Sequence, residues 1–348
     1  MSNTILQNQF YGFHNKIKLD FEDNEQLIEK RDMLIEEIKS YLKKKSEDEK
    51  KPLIKFKTFM QGSYAMGTGN NPVCIEEDYD IDTGLLFLIS ITDYTPREVK
   101  KWVFEALDSN QFRTVEWKKA CIRVQYKEAG FPKFHIDFAC YSDSSCNDDE
   151  QIYIAKGKPT LSSDQNKWEI SEPKKLKEII NNKYSDVDEK GQFKRDMRYM
   201  KRWKDHNFDS VNGTPTGIAI TALANNGFKP YVKDIFTGNA DIDDFKATQE
   251  FVKYILSRFS YNGRICVTLP VPPPYNDLCE KMTDQQCKAF KTKLEALRDA
   301  FDEAENETDP HEACKILKKQ FGDDFPVPAK EETGQNRKKA VAGTSESA

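Results

Sequence analysis

Two short segments between residues 62 and 82 carry groups that suit phosphate chemistry. Gly62-Ser63 is typical of a tight turn whose backbone N–H groups and hydroxyl bind a phosphate. Asp78, Asp80 and Asp82 alternate along the strand predicted next, so their carboxylates project from one face. Such carboxylates repel each other unless a cation lies between them, and Mg²⁺ prefers oxygen ligands and also binds substrate phosphates. The two segments together predict a site that transfers a nucleotidyl group.

The spacing of the acids leaves open which of them bind metal. Glu76 lies on the same face if the strand begins early, so strand period alone does not single out two ligands. A bare Asp-X-Asp is also compatible with a solvated acidic edge strand. The Gly62-Ser63 turn, at a suitable distance upstream, favours the metal site.

A third candidate ligand lies in a later predicted strand. In residues 134–140, bulky apolar residues alternate with His135, Asp137 and Ala139. A carboxylate in the middle of such a strand is costly unless it is paired or bound to metal. Asp137 is therefore the natural third ligand, the alternative being a structural aspartate that accepts from a loop N–H.

The composition indicates a globular, cytoplasmic protein. The chain has 348 residues, enough for two domains, of which 32% are charged and 38% hydrophobic. No apolar run approaches the ~20 residues that span a bilayer, and the N-terminus lacks a secretory signal. The eight cysteines form no C-x-x-C pair and the four histidines show no zinc-ligand spacing, so we expect reduced thiols. The net charge of −5 disfavours long nucleic acid as a partner and suits small nucleotides.

Hydrophobic periodicity predicts strands followed by helices, with a domain boundary within 145–170. Helices are expected at 24–45, 96–108, 173–184, 193–207, 216–225, 243–259, 283–305 and 309–320, and strands at 54–61, 78–90, 120–126 and 134–140. Residues 141–165 are polar and are predicted to form a loop region. The tail after Pro328 has almost no large apolar side chains and is predicted to be disordered.

Several motifs occur in an order that resembles a known family. They are Gln61-Gly62-Ser63, Asp80-Ile-Asp-Thr-Gly84, His135-Ile-Asp137, Lys167-Trp168 with Ser171-Glu172-Pro173, Met200-Lys201-Arg-Trp203 and the proline run 270–275. Together they resemble the bacterial cGAS/DncV-like nucleotidyltransferases (CD-NTases), closest to the DncV dinucleotide cyclase branch, over about residues 55 to 320. The resemblance implies an α+β fold in which a polymerase-β-like sheet with flanking helices and a C-terminal helical lobe enclose a cleft. The implied limits are a catalytic domain at 1–165, a helical nucleotide-binding lobe at 166–325 and a disordered tail at 326–348.

The resemblance also implies roles for individual residues. Asp80, Asp82 and Asp137 match the catalytic, metal-binding carboxylates, which implies two Mg²⁺ ions, with Mn²⁺ as a substitute. The nucleotide-binding matches are Gln61, Gly62 and Ser63 for the donor phosphates, Lys201 for the triphosphate, Arg123 near the acceptor nucleotide, Ser171 at the cleft, and Thr214 and Thr216 near a serine-bearing turn. Asp277 is a further candidate, for base reading. From the residues alone, Lys201 resembles an exposed cation and Arg123 a solubilising residue of an edge strand.

The family makes cyclic di- or trinucleotide messengers in anti-phage defence (CBASS). The resemblance therefore implies a cyclic dinucleotide synthase that uses purine NTPs such as ATP and GTP and releases pyrophosphate, with cyclic GMP-AMP as a candidate product. It implies as partners an effector that binds the messenger and a ubiquitin-like conjugation pair acting on the C-terminus.

Three other functions remain open at this point. An Asp-X-Asp glycosyltransferase would use Asp80 and Asp82 but leaves Gly62-Ser63 and Asp137 without roles. A template-free polymerase making linear oligoadenylate, or extending RNA, would use the same site. A catalytically inactive nucleotide-binding module is the third, and the intact set of acids argues against it.

Overall fold

The structure is a computed structural model that describes residues 3–19, 25–73, 79–108, 113–126, 134–160, 162, 165–208, 214–232, 241–272 and 276–330. The side chains of residues 3–5, 25–27, 79, 80 and 134 lie outside this description. The predicted disordered tail from residue 331 onward lies outside the described residues, as does Asp78. None of the helices in the described ranges is long and apolar enough to cross a membrane.

The elements alternate at first between helix and strand and then become helical. The helices are α1 (Asn3–Ile17), α2 (Glu25–Glu49), α3 (Gly62–Ala65), α4 (Pro96–Leu107), α5 (Pro173–Asn181), α6 (Val187–Asn207), α7 (Gly217–Gly227), α8 (Asp244–Ser257), α9 (Asp284–Asn306) and α10 (Pro310–Phe321). The strands are β1 (Phe56–Met60), β2 (Tyr79–Phe87), β3 (Arg113–Trp117), β4 (Ile122–Tyr126), β5 (Phe134–Ser142), β6 (Tyr153–Lys156) and β7 (Lys167–Ile170). Each helix predicted from periodicity is present, with ends shifted by a few residues.

The sheet places β2 and β5 side by side at its centre. The strand order is β1-β2-β5-β4-β3, with β6 added to the end of β5 and β7 added to β6. β2 and β5 run parallel, whereas the other neighbours are antiparallel. One face of this sheet packs on α2 and α4, which satisfies the alternate apolar positions of each central strand. The opposite face carries polar residues of β2, β4 and β5 and, farther along β2 and β5, a small apolar cluster of Leu86, Ala139, Tyr141 and Ile154.

The two larger apolar cores of the described residues lie behind the two walls of the cleft. The first joins the sheet to α2 and α4 around Ile81, Val103, Ile136 and Phe138. The second is helical and contains residues from α1 and from α6 to α10, among them Phe13. The ring of Phe13 stacks on that of Tyr199 with centroids 5.3 Å apart. Its centroid also lies 5.2 Å from those of Phe321 and Phe325.

The packing differs from the predicted domain limits of 1–165 and 166–325 at two places. Helix α1, near the start of the chain, packs into the helical core rather than against the sheet. Strand β7 extends the sheet as far as Ile170. The sheet-bearing unit therefore excludes α1 and ends a few residues after the limit of 165 that the resemblance implied, within the range 145–170 that periodicity predicted.

The prediction of a loop throughout 141–165 is wrong. β5 continues to Ser142, a short 3₁₀ helix follows at Ser144–Cys146, and β6 then pairs Tyr141 with Ile154 and Ser142 with Tyr153. β6 is only four residues long, too short to show an alternating pattern, and it is held by hydrogen bonds to strands on both sides. α1, β3 and β7 were also absent from the predicted elements.

Candidate active site

The central geometric fact is the register of β2 and β5. Asp82 lies directly beside Asp137, and Asp80 lies beside His135, in the parallel ladder. Because alternate residues share a face, all four positions lie on the face opposite the apolar core that contains Ile81. The side chain of Asp80 lies outside the described residues, so its placement rests on the backbone register. The predicted convergence of Asp82 and Asp137 is thus present at the level of paired strands.

Asp137 is held by an arginine from the next strand. β4 places Arg123 opposite Asp137, and the guanidinium donates from Nε to Oδ1 at 2.8 Å and from Nη2 to Oδ2 at 2.7 Å. The side chain of Asp137 is 9% exposed and that of Arg123 is 24% exposed. This two-point pair explains how the sheet accommodates a carboxylate in an otherwise apolar strand. It also places a cationic group of the cavity wall next to the carboxylates.

The Gly62-Ser63 turn packs directly over Asp82. Gly62 has φ +69°, and a Cβ built on it would lie 1.9 Å from Asp82 Oδ2. Only glycine fits there, both because of the positive φ and because of the close approach of the carboxylate. The Gln61 N–H also donates to the Asp82 carbonyl at 3.2 Å. The turn continues as α3, a single helical turn, so the expected phosphate cradle and the acidic strand form one unit.

A cavity of about 890 Å³ opens between the two cores at this point. From the sheet side, its lining includes Gly62, Ser63, Asp82, Arg123 and His135. From the helical side, it includes Lys201, Lys204, Thr214, Gly217 and Thr221. The volume is at the upper end of the ~300–1,000 Å³ typical of small-molecule sites. The predicted cleft is therefore lined by residues from both walls.

Lys201 faces this cavity from α6 but is buried rather than exposed. It is 8% exposed, and its Nζ donates to Thr68 Oγ1 at 3.0 Å and to the Thr68 carbonyl at 3.3 Å. Burial, together with the positive charges of Arg198 and Lys204, lowers the pKa of Lys201 from 10.5 to about 7. The ammonium group thus lacks full stabilisation until an anion approaches.

Gln61, Ser171 and Thr216, also predicted from the resemblance, do not line the described part of the cavity. Gln61 Oε1 accepts from the hydroxyl of Tyr141 at 2.7 Å, and Ser171 is hydrogen-bonded to the same hydroxyl. Thr216 is exposed and caps α7 by accepting from the Ala219 N–H at 3.3 Å. These residues support the walls of the site in this arrangement.

Asp277, a candidate for base reading, orders a loop. Its Oδ1 accepts from the backbone N–H groups of Val267 and Cys279, each at 2.9 Å. Its predicted contact with a base remains a prediction.

Sequence reasoning missed the segment that forms the floor of the cavity. Thr68, Asn70 and Asn71 line it, all from a short polar stretch that follows α3. The sequence feature that could have indicated this segment is Gly-Thr-Gly-Asn-Asn at 67–71, a run of turn-forming residues that follows the Gly62-Ser63 turn closely. Its partners come from α1 and α6, which are distant in sequence.

The residues present fit a divalent metal. Asp82 and Asp137 offer hard oxygen donors from adjacent strands, with Asp80 two residues before Asp82 on the same face. Among the side chains that are described, which exclude that of Asp80, no group of three His, Cys, Asp or Glu residues is close enough to form a metal site. Among the described side chains, Asp82, which packs against the Gly62-Ser63 turn, and Asp137, beside it on β5, are the carboxylates that would hold Mg²⁺.

Comparison with known proteins agrees with this geometry. Residues 56–141 match the family model described as "Cyclic GMP-AMP synthase DncV-like, nucleotidyltransferase domain". A cyclic GMP-AMP synthase from Escherichia albertii is 26% identical over 233 residues, covering 64% of this chain and 48% of the relative. The chain thus spans about half the length of that curated relative.

Solved structures of Vibrio cholerae DncV cyclic AMP-GMP synthase share the fold. One is 19% identical with a TM-score of 0.71 and covers 93% of this chain and 97% of that chain. Another, in complex with the linear intermediate 5′ pppA(3′,5′)pG, has a TM-score of 0.70 and covers 93% and 96%. The predicted α+β architecture, a polymerase-β-like sheet with a helical lobe, is confirmed.

Proposed function

We propose that this chain, whose residues 56–141 match the DncV-like nucleotidyltransferase model, joins two NTPs into a cyclic dinucleotide and releases pyrophosphate. The observation that carries the proposal is the in-register placement of Asp82 beside Asp137, with Gly62-Ser63 packed over Asp82. Lys201 lies on the opposite wall of the same cavity. Acids, phosphate turn and facing cation are the parts that nucleotidyl transfer requires.

The residues of the chain take complementary parts in this reaction. Ser63 and the turn at Gly62 hold the donor triphosphate against the sheet, while Lys201 binds it from α6. Asp80, Asp82 and Asp137 would hold two Mg²⁺ ions, which when bound neutralise the phosphates and lower the pKa of the acceptor hydroxyl. The acceptor ribose hydroxyl then attacks the α-phosphorus in line, its proton is lost, and pyrophosphate leaves. A second round, in which the free hydroxyl of the linear dinucleotide attacks its own 5′ α-phosphorus, closes the ring.

Arg123 has a distinct part on the acceptor side. It lines the cavity and pairs with Asp137, so its guanidinium stands at the edge of the acidic site. A phosphate or base of the acceptor nucleotide near this edge would meet a fixed planar donor. Gln61 and Ser171 act behind the site by fixing Tyr141 next to the turn.

The substrates and the setting extend the proposal. Vibrio cholerae DncV structures hold GTP and a linear adenine–guanine intermediate, which favours purine NTPs and a cyclic GMP-AMP product here. We place the enzyme in the cytoplasm, with Mg²⁺ as cofactor and Mn²⁺ as a substitute. Its messenger would act through a separate effector in anti-phage defence (CBASS). A ubiquitin-like conjugation pair acting on the C-terminal tail is the proposed second partner.

Product analysis tests this function directly. The full chain is incubated with Mg²⁺ and each pair of the four labelled NTPs, and the product is treated with phosphatase and linkage-specific nucleases. A phosphatase-resistant product containing two purines is expected. A phosphatase-sensitive ladder would indicate a linear oligonucleotide synthase instead. In a parallel incubation with labelled nucleotide-sugars, turnover of those donors and not of NTPs would indicate a glycosyltransferase.

A further inference from the structure

A row of cations on α6 binds the backbone of the loop that follows the phosphate turn. Arg198, Lys201 and Arg202 lie on one side of the helix, at spacings of three and four residues. They are 7%, 8% and 1% exposed. Each donates to residues of the segment 67–71, hereafter the cavity-floor loop. Arg202 also pairs with Asp324, with Nε 3.5 Å from Oδ2. Charged donors that are buried and fixed on loop carbonyls in this way indicate that the row orders the loop.

Arg198 makes the most extensive of these contacts. Its Nη2 donates to the Gly67 carbonyl at 2.6 Å and its Nε to the Gly69 carbonyl at 3.1 Å. In return, Asn70 Nδ2 donates to the Arg198 carbonyl at 2.9 Å. A planar guanidinium that grips two carbonyls two residues apart fixes the orientation of both peptide units.

The peptide unit between Gly67 and Thr68 carries this constraint to the phosphate turn. Its carbonyl accepts from Arg198, and its N–H donates to the carbonyl of Ser63 at 2.9 Å. Two hydrogen bonds through a single rigid peptide therefore connect the guanidinium of Arg198 to the backbone of Ser63. Lys201, by contrast, reaches the loop through the hydroxyl and carbonyl of Thr68 and itself lines the cavity.

The other side of the cavity-floor loop is fixed by α1. The Asn71 N–H donates to the Ile17 carbonyl at 2.8 Å, and the Leu19 N–H donates to the Gly69 carbonyl at 3.2 Å. The Gly69 carbonyl thus accepts hydrogen bonds from both Arg198 and the Leu19 N–H, two residues after α1. Because these backbone hydrogen bonds to Ile17 and Leu19 hold the loop independently of Arg198, a substitution of Arg198 should alter the loop locally and should not displace the helical lobe.

We propose that Arg198 is a positioning residue for the donor triphosphate: it sets Ser63 through the Gly67–Thr68 peptide without touching substrate itself. This inference rests on the proposed function, since it takes Ser63 to hold the triphosphate. It assigns to α6 a second contribution to the site besides Lys201. It also explains why a buried arginine is bonded to loop carbonyls within reach of the cavity wall.

The matched test compares Arg198→Lys with Arg195→Lys. Arg195 lies about one helical turn earlier and binds Asp244 through Nε at 2.7 Å and Nη2 at 2.8 Å, within the helical core. Both variants keep the positive charge and lose the two-point hydrogen bonding of a guanidinium. Only Arg198→Lys weakens the hydrogen-bonded connection to Ser63. The first readout is hydrogen exchange of the Thr68 amide in the ligand-free chain. It should be faster by about tenfold or more in Arg198→Lys and unchanged in Arg195→Lys.

The second readout is nucleotide binding. For a non-hydrolysable NTP we expect Kd to rise about tenfold in Arg198→Lys, and KM for pyrophosphate release to rise with a smaller change in kcat. In Arg198→Ala, added guanidinium ion should restore part of the affinity, whereas Arg195→Ala should not respond. Wild-type exchange and affinity in Arg198→Lys, or an equal loss in Arg195→Lys, would overturn the proposal. If the wild-type chain binds no NTP, the proposed function fails, and Thr68 exchange still decides whether Arg198 holds the turn.

Discussion

Arg123 and Asp137, on adjacent strands, form a bidentate ion pair in which Nε and Nη2 of the guanidinium donate to the two carboxylate oxygens at 2.8 and 2.7 Å. The pair neutralises a carboxylate that the sheet would otherwise bury at high cost. It also means that any cation bound by Asp137 must accommodate the guanidinium next to it.

The first prediction concerns the loss of this pair. Arg123→Ala should lower the free energy of unfolding by about 1–3 kcal/mol, less than the ~3–5 kcal/mol of fully buried pairs because Arg123 is 24% exposed. Mg²⁺ should restore part of that loss in the variant, since a metal ion can replace the guanidinium as counter-charge. Urea denaturation with and without Mg²⁺ measures both effects. Arg97→Ala, on the exposed surface of α4, is the control, and equal Mg²⁺ effects in the two variants would speak against the metal assignment.

Strands β2, β4 and β5 show which parts of the site could be predicted from the sequence and which could not. Strand period predicted that Asp80 and Asp82 share a face, and an acid in the middle of an apolar strand indicated Asp137 as a candidate third ligand, which the register places beside Asp82. The pairing of Asp137 with Arg123 was not predictable from pattern, because it depends on the strand order β2-β5-β4. Local periodicity carries no information about which strands become neighbours.

The α6 helix shows the opposite case. Its many charged residues suggest an exposed helix, and from the residues alone Lys201 was interpreted as a surface cation. It can be buried because carbonyls of the cavity-floor loop, more than 100 residues earlier in the chain, accept hydrogen bonds from Lys201, Arg198 and Arg202. Charge pattern reports solvent exposure only when no buried backbone acceptors face the helix.

The second prediction concerns Gly62. Gly62→Ala places a methyl group 1.9 Å from Asp82 Oδ2 and also strains a residue at φ +69°. Gly263 has φ +78° but nothing within 4 Å of its Cβ position, so Gly263→Ala isolates the backbone cost. Gly263→Ala should lose about 1–2 kcal/mol of stability, and Gly62→Ala should lose more because the clash with Asp82 adds to the backbone cost. Only Gly62→Ala should also lose pyrophosphate release, and retained activity there would show that Asp82 need not lie against the turn.

The third prediction follows from the lowered pKa of Lys201. Burial brings that pKa from 10.5 to about 7, so at pH 8 the amine is mostly neutral in the ligand-free chain. A bound triphosphate favours the charged form, so NTP binding at pH 8 should take up about one proton at most. Calorimetry in two buffers of different ionisation enthalpy measures the uptake. Lys201→Met should abolish it and the exposed Lys183→Met should not; undiminished uptake in Lys201→Met would assign the proton elsewhere.

The fourth prediction concerns Asp196, a carboxylate in the helical core that is 1% exposed. Burial is the main cause that raises its pKa from 3.8 to about 8, so the folded chain binds a proton that the unfolded chain releases between these values. Its contribution to stability is therefore full below about pH 4 and is lost as pH rises towards 8, by about 1.4 kcal/mol per pH unit at most. Asp196→Asn should remove this slope.

Urea denaturation at pH 5 and pH 8 checks the sign. The stability of Asp196→Asn relative to wild type should increase between the two pH values. The exposed Asp93→Asn should show no such change. A constant difference between Asp196→Asn and wild type would mean that Asp196 does not titrate in this range.

The most direct test of the central assignment is pyrophosphate release from NTPs by the wild-type chain and by the double variant Asp80→Asn with Asp82→Asn, with circular dichroism confirming the fold of both. Metal-bound carboxylates on β2 predict Mg²⁺-dependent release by the wild type and a loss of at least about a hundredfold in the variant. Full activity in the folded double variant would contradict that assignment.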